Sequence, residues 1–300
     1  MATTSTALTG TPAASRSHRP RGALAQAARV FARDRQAMLG LLIIAIIGGA
    51  ALAAPVISPW DPLTSASVER LSPIGTPGHL LGTDEQGRDI LSRLIWGGRA
   101  SLLVGILPTV TAGVVALGLG LLAGYLGGLV DHVIMRALDV FFAFPLVLLA
   151  IAIVGVIGPG MGNQMFALAV VLVPYSTRVV RTAALSVKPL EYVEAARALG
   201  ASGGRLVGRH LLPNVLPPLL VYTSTLVGLM IVASAGLSFL GLGVQPPTPD
   251  WGVMVGNGRL VLYRAAHVAT IPGVVIVVAA LAFNFVGDGL REALDPRARR

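Results

Sequence analysis

The side chains able to move a proton, attack a carbonyl or hold a metal are few and scattered. The five histidines, His18, His79, His132, His210 and His267, lie far apart in the chain. No H-E-x-x-H pairs two of them across a helical turn. Cysteine is absent, which excludes disulfides and thiolate metal sites. A phosphate-binding loop needs a lysine beside a glycine-rich turn. The one lysine, Lys188, stands between Val187 and Pro189. The sequence therefore predicts no catalytic, cofactor or metal site. Its chemistry is that of recognition, with charged and apolar groups held at fixed spacing for a partner.

The densest such arrangement is TRVVRTAALSVKPLEYVEAARALGASGGRLVGRHLLPN, residues 177–214. Pro189 suits the first position of a helix, and Glu191 suits the positive end of its dipole. Tyr192, Ala195, Ala196 and Leu199 recur at helical spacing on one face, with Glu191, Glu194 and Arg197 on another. Gly200 is placed to end this helix, because glycine takes the left-handed cap cheaply. A second short helix is predicted beyond it, with Leu206, Val207 and His210 on one side and Arg205 and Arg209 on the other. Pro213 closes the segment. The periodicity fits two arrangements. One is a protruding knob of two short helices joined at a glycine; the other is a helix pair lying flat on anionic lipid. Glu194 reads either as a contact residue or as a solvated carboxylate paired with Arg197.

Composition says what must hold this segment. Of the 300 residues, 54% are apolar and 12% charged, against about 25% charged in soluble domains. Too few charges remain to cover a water-facing surface, so the expected fold is all-α and polytopic in a membrane. The net charge of +9 does not point to nucleic acid, because the basic residues sit in short runs between apolar stretches. A span needs roughly 20 apolar residues. About six segments qualify: 38–57, 101–126, 133–157, 164–180, 215–237 and 267–286, the fourth interrupted by Pro174 and Arg178. One side carries Arg16, Arg19, Arg21, Arg29, Arg33, Arg35, Arg136, Arg178, Arg181, Lys188, Arg197, Arg205, Arg209, Arg291, Arg297, Arg299 and Arg300. The other carries only Arg70, Arg88, Arg93, Arg99, Arg259 and Arg264. The positive-inside rule then places both termini in the cytoplasm.

The expected organisation is a cytoplasmic tail at 1–37, an anchor at 38–57, a periplasmic segment at 58–98, a membrane domain at 99–290 and a tail at 291–300. Residues 1–20, rich in Ser, Thr, Ala and Pro, read as disordered. Ala51-Leu52-Ala53 resembles a signal-peptidase site. However, the basic segment before it is long and the apolar run continues past it, so the span reads as an uncleaved anchor. Asp89 to Trp96 reads as an amphipathic helix on the outer membrane surface or as part of a structured loop. A lone charge at mid-membrane costs about 2.5–3.5 kcal/mol. Asp139 is therefore expected to pair structurally with Arg136 or to make a gating contact. Asn284 and Asp288 pose the same choice in the last span. Gly120, Gly124 and Gly128 are spaced for close approach of another helix.

Glu194-Ala195-Ala196, then Gly200, then Leu212-Pro213 match the spacing of the cytoplasmic EAA loop of ABC importer permeases, E-A-A-x3-G-x9-I-x-L-P. His210 stands where the general pattern has isoleucine, and RHLLPN (209–214) is similar to the peptide-importer branch. HLLGTDEQGRDILSRLIWGGRASLLVG (79–105), MRALDVFFAFP (135–145), PPTPDWGVMV (246–255) and LAFNFVGDGLREALDPR (281–297) resemble further stretches of that branch, in its C-type subunit.

The resemblance implies a type I ABC importer permease fold in the bacterial inner membrane. It implies a coupling loop at 188–213 that docks on a separate ATPase chain. Glu194 would make polar contacts there, Ala195 and Ala196 would allow close approach, and Gly200 would permit the bend. The implied partners are a second homologous permease, two ATPase subunits that hold ATP and Mg2+, and a periplasmic or lipid-anchored binding protein. The implied cargo is a di- or oligopeptide, a nickel chelate or glutathione. A secondary transporter, the rival reading, would show an internal repeat, and none is evident.

Overall fold

The structure, a computed structural model, describes residues 20–294. The helices are α1 (Pro20–Arg33), α2 (Arg35–Ile57), α3 (Ile90–Leu126), α4 (Gly128–Asp139), α5 (Leu146–Ile157), α6 (Met161–Val187), α7 (Glu191–Ala198), α8 (Gly203–Leu206), α9 (Leu212–Phe239), α10 (Trp251–Gly258) and α11 (His267–Leu294). Among the described residues, β-structure is limited to two isolated bridges. Most of the 1–20 stretch, expected to be disordered, lies outside the described residues.

Aspartates start three of these helices. The Asp34 carboxylate accepts from the Gln36 and Ala37 amides, Asp89 from Ser92 and Asp250 from Val253. Each satisfies a backbone donor that the first helical turn leaves unpaired. Five stretches are long and apolar enough to cross a membrane: α2, α3, α6, the continuous run Gly203–Phe239, and α11. The count reaches six if the bent α4–α5 pair is one span.

Several predicted elements change. The third expected span is not one helix: it bends by 89° between α4 and α5. Phe144 precedes Pro145, which disfavours the helical region, and Phe144 is extended at φ −116 and ψ 139. The fourth span is longer than predicted, because α6 runs through both Pro174 and Arg178. Asp89–Trp96 is neither a surface helix nor a loop. Its helical part is the first turns of α3, which begins at Ile90.

α3 is the central strut, packed on α6, α9 and α2, while α11 packs on α9, α2 and α1. Gly120 and Gly124 let α3 approach α6, where an added Cβ would run into Val180 and Ala184. Gly128 plays no such part. It lies beyond the end of α3, at φ +52, and with Gly127 at φ +67 turns the chain into α4. On the opposite end of the bundle, Trp251 is 1% exposed and donates its indole N–H to the Leu94 carbonyl at 2.9 Å. Ser101 bridges α3 to α10 through the Asp250 carboxylate and the Trp251 amide. The same end carries the ordered segment 58–89. There His79 lies between Asp89 at 2.9 Å and Glu69 at 3.2 Å and stacks on Trp60.

Candidate functional site

The site begins where α6 ends. Lys188 leaves α6 and donates from Nζ to the Tyr125 carbonyl at 2.8 Å, capping the last turn of α3. α7 starts two residues after Pro189, at Glu191, rather than at the proline itself. It is held by a side chain the periodicity did not single out. Val193 is fully buried in an apolar cluster with Val180, Ala184 and Val187 of α6 and with Leu206, Leu211, Val215 and Leu219. Ala196 packs at its edge.

The rest of α7 faces outward. The predicted face of Tyr192, Ala195, Ala196 and Leu199 is therefore mostly exposed, with only Ala196 turned toward the bundle. Leu199 is 89% exposed and Tyr192 45%. Glu191, Glu194 and Arg197 are also exposed, and none forms an ion pair among the described residues. The Glu194–Arg197 pair considered from sequence is absent. An apolar stripe flanked by uncompensated charges thus projects from one end of the bundle.

Gly200 closes α7 in a Schellman cap. Its φ is +80, its amide donates to the Arg197 carbonyl, and the Ala201 amide donates to the Ala196 carbonyl. The second short helix predicted beyond it is instead the start of the fifth span. α8, the π-helical stretch Val207–Leu211 and α9 run on without a break. Pro213 lies inside this run, where it has no N–H to give the turn before it, and that turn is the π-helical one. Arg205 and Arg209 are exposed on its surface. His210 lies 5.8 Å from the Tyr192 ring. Asn214 donates to the Tyr192 hydroxyl at 3.2 Å and to the His210 carbonyl at 2.6 Å, tying α7 to α9.

Asn214 also lines a cleft of about 770 Å³ between α6, α9 and α11. Pro217, Tyr222, Thr225, Asp288 and Arg291 share its wall. Asp288 therefore faces this cleft, while Asn284 is packed beside the backbone of Gly228. Asp139 does not pair with Arg136. Its partner is Arg178 of α6, at 2.7 Å, and that guanidinium also lies 3.7 Å from the Phe142 ring centre. Arg136 is exposed and unpaired among the described residues. Arg181 grips Asp131 through two hydrogen bonds, so two arginines of α6 hold α4. These pairs span 39 and 50 residues, so no local pattern in the sequence encodes them. No group of three or more His, Asp or Glu that could hold a metal occurs among the described residues.

Residues 116–300 match the family described as binding-protein-dependent transport system inner membrane component. Residues 23–73 match the N-terminal TM domain of oligopeptide transport permease C. The chain belongs to the binding-protein-dependent transport permeases. Within that family it is 43% identical over 274 residues to the di/tripeptide transport system permease protein DppC of Pseudomonas aeruginosa, covering 90% of both chains. It is 42% identical over 271 residues to the glutathione transport system permease protein GsiD of Pectobacterium atrosepticum, again covering 90% of both. The inward-facing MetNI methionine ABC transporter shares its fold, at 22% identity and a TM-score of 0.57 over 69% of this chain and 98% of that one. This permease is thus a multi-pass ABC importer subunit of the dipeptide and glutathione transport group. The stretch that resembles the EAA loop forms α7 and its Gly200 cap.

Proposed function

We propose that this permease is one of two membrane subunits of an ATP-driven importer of di- or oligopeptides, and that α7 is its docking element for an ATPase chain. The exposed face of α7 carries this reading. Tyr192, Ala195 and Leu199 form an apolar stripe in water, rimmed by Glu191, Glu194 and Arg197, on a helix anchored through Val193. A rigid helix with an unburied apolar face fits a groove on a partner protein. The sequence carries no phosphate-binding loop of its own, so ATP and Mg2+ sit on two separate ATPase subunits. α7 faces the cytoplasm, and the end bearing Trp60 and His79 faces a binding protein outside. Closing of the ATPases draws α7 inward, and the Tyr192–Asn214 link passes that movement to α9 and the cleft. The relatives named for dipeptides and for glutathione, itself a small peptide, support a peptide cargo.

The test is ATP hydrolysis and uptake by the reconstituted complex, with and without loaded binding protein. Gly200→Val should insert normally yet lose most uptake. Glu194→Ala should lose less, since a charged hydrogen bond at an interface is worth about 1.5–3 kcal/mol. Ligand binding to the separate binding protein should stay unchanged. Normal stimulated hydrolysis and normal uptake in both variants would remove α7 from the coupling role and favour a helix lying flat on lipid.

A further inference from the structure

Away from α7, the outward sides of α2, α3 and α11 enclose an apolar groove of about 320 Å³. Ile46 and Ala50 of α2, Ile95 and Gly98 of α3, and Val278 of α11 line it, with Trp251 at its base. Its size falls within the roughly 300–1,000 Å³ of small-molecule sites. Its lining on α2 runs from Ile43 to Ala50, about 10 Å at 1.5 Å per residue.

A cation stands at one end of this groove. Pro55 has no N–H, so the Ala51 carbonyl loses its helical donor. Arg99 replaces it, donating from Nε to Ala51 at 2.6 Å and from Nη2 to Leu52 at 2.9 Å. Its guanidinium lies 4.6 Å from the Trp96 ring centre. These bonds fix the arginine next to Ala50 and Gly98, at that end of the groove. Arg99 is exposed, and no carboxylate lies within ion-pair reach among the described residues. Its neighbours at this end differ: Arg88 pairs with Asp84 and Glu85, and Arg93 with Asp84. A fixed, uncompensated positive charge at the head of an apolar channel, with an aromatic ring against it, has the shape and charge of a lipid site.

We propose that the groove between α2, α3 and α11 binds one anionic phospholipid, with its acyl chain along Ile46 and Ala50 and its phosphate on Arg99.

The test uses the purified permease with its co-purifying subunits, stripped of lipid in detergent. It is titrated with phosphatidylglycerol or with phosphatidylethanolamine of the same acyl chains, and bound lipid is counted by native mass spectrometry. One phosphatidylglycerol should be retained per chain, favoured about fivefold, the factor one arginine contributes at an anionic surface. Arg99→Gln should abolish that preference. Val278→Trp, which fills the groove from a partly exposed position, should lower retention of both lipids. If Arg99→Gln fails to assemble, Val278→Trp carries the test alone. Equal retention by wild type and variants, as for unselective annular lipid, overturns the proposal. So does a photo-cross-linking residue at Ile46 that captures the second permease in place of lipid.

Discussion

Gly200 ends α7 and Val193 anchors it. At Gly200 the constraint is backbone conformation alone: φ is +80, and an added Cβ would meet nothing within 4 Å. A left-handed residue with a Cβ costs about 1–2 kcal/mol, and asparagine tolerates it better than valine. Gly200→Asn should therefore retain most of the uptake that Gly200→Val loses, measured side by side in the same vesicles. His79 makes a different residue-scale prediction. Burial of its ring opposes the charge, but hydrogen bonds to Asp89 and then to Glu69 outweigh it and hold its pKa above the ordinary histidine value. A raised folded pKa stabilises fully below the unfolded value and loses that contribution as pH rises through the folded one. Hydrogen-exchange protection of segment 58–89 should accordingly fall as pH rises from the ordinary histidine range through that raised value, after correction for intrinsic rates. His79→Gln should flatten the dependence.

At the scale of elements, α7 is a short helix of eight residues, too short to hold itself together in water. Its order comes from the Schellman cap, the Tyr192–Asn214 bond and burial of Val193. Val193→Asn would place an unpartnered amide under α7 at a cost of about 1–3 kcal/mol. The α7 amides should then lose hydrogen-exchange protection while those of α6 keep theirs. The periodicity of residues 189–199 disclosed a helix and its exposed groups, but not which side met the bundle. Two apolar stripes compete there, and only packing against Val180, Ala184 and Leu206 chose Val193. The same limit hid Arg178 as the partner of Asp139. The two are far apart in sequence, and a local rule naturally offers Arg136, one turn away.

At the scale of the whole molecule, large apolar side chains stand exposed along the long helices. Ile46, Leu52, Val56 and Val114 are all more than half exposed on helices of membrane length. That surface is stable only in lipid or against another subunit. Arginine placement sets the orientation we propose. A reporter fused after Arg300 should be cytoplasmic, and one inserted near Ser67 should be periplasmic. A periplasmic signal from the first would refute the topology.

By itself, the sequence determined that the chain is an all-α membrane protein and a permease of the binding-protein-dependent class. Composition, span length and the EAA spacing are each local properties that survive without coordinates. It also placed the cap at Gly200, because a helix-ending glycine is encoded by its own neighbours. Tertiary structure decided the rest. The continuity of α6 through Pro174 and of α8 into α9, the burial of Val193 and the Arg178–Asp139 pair all depend on groups distant in sequence. A proline or a charge in a span is tolerated when another helix satisfies it, and the neighbour that does so is chosen by the packing of the bundle.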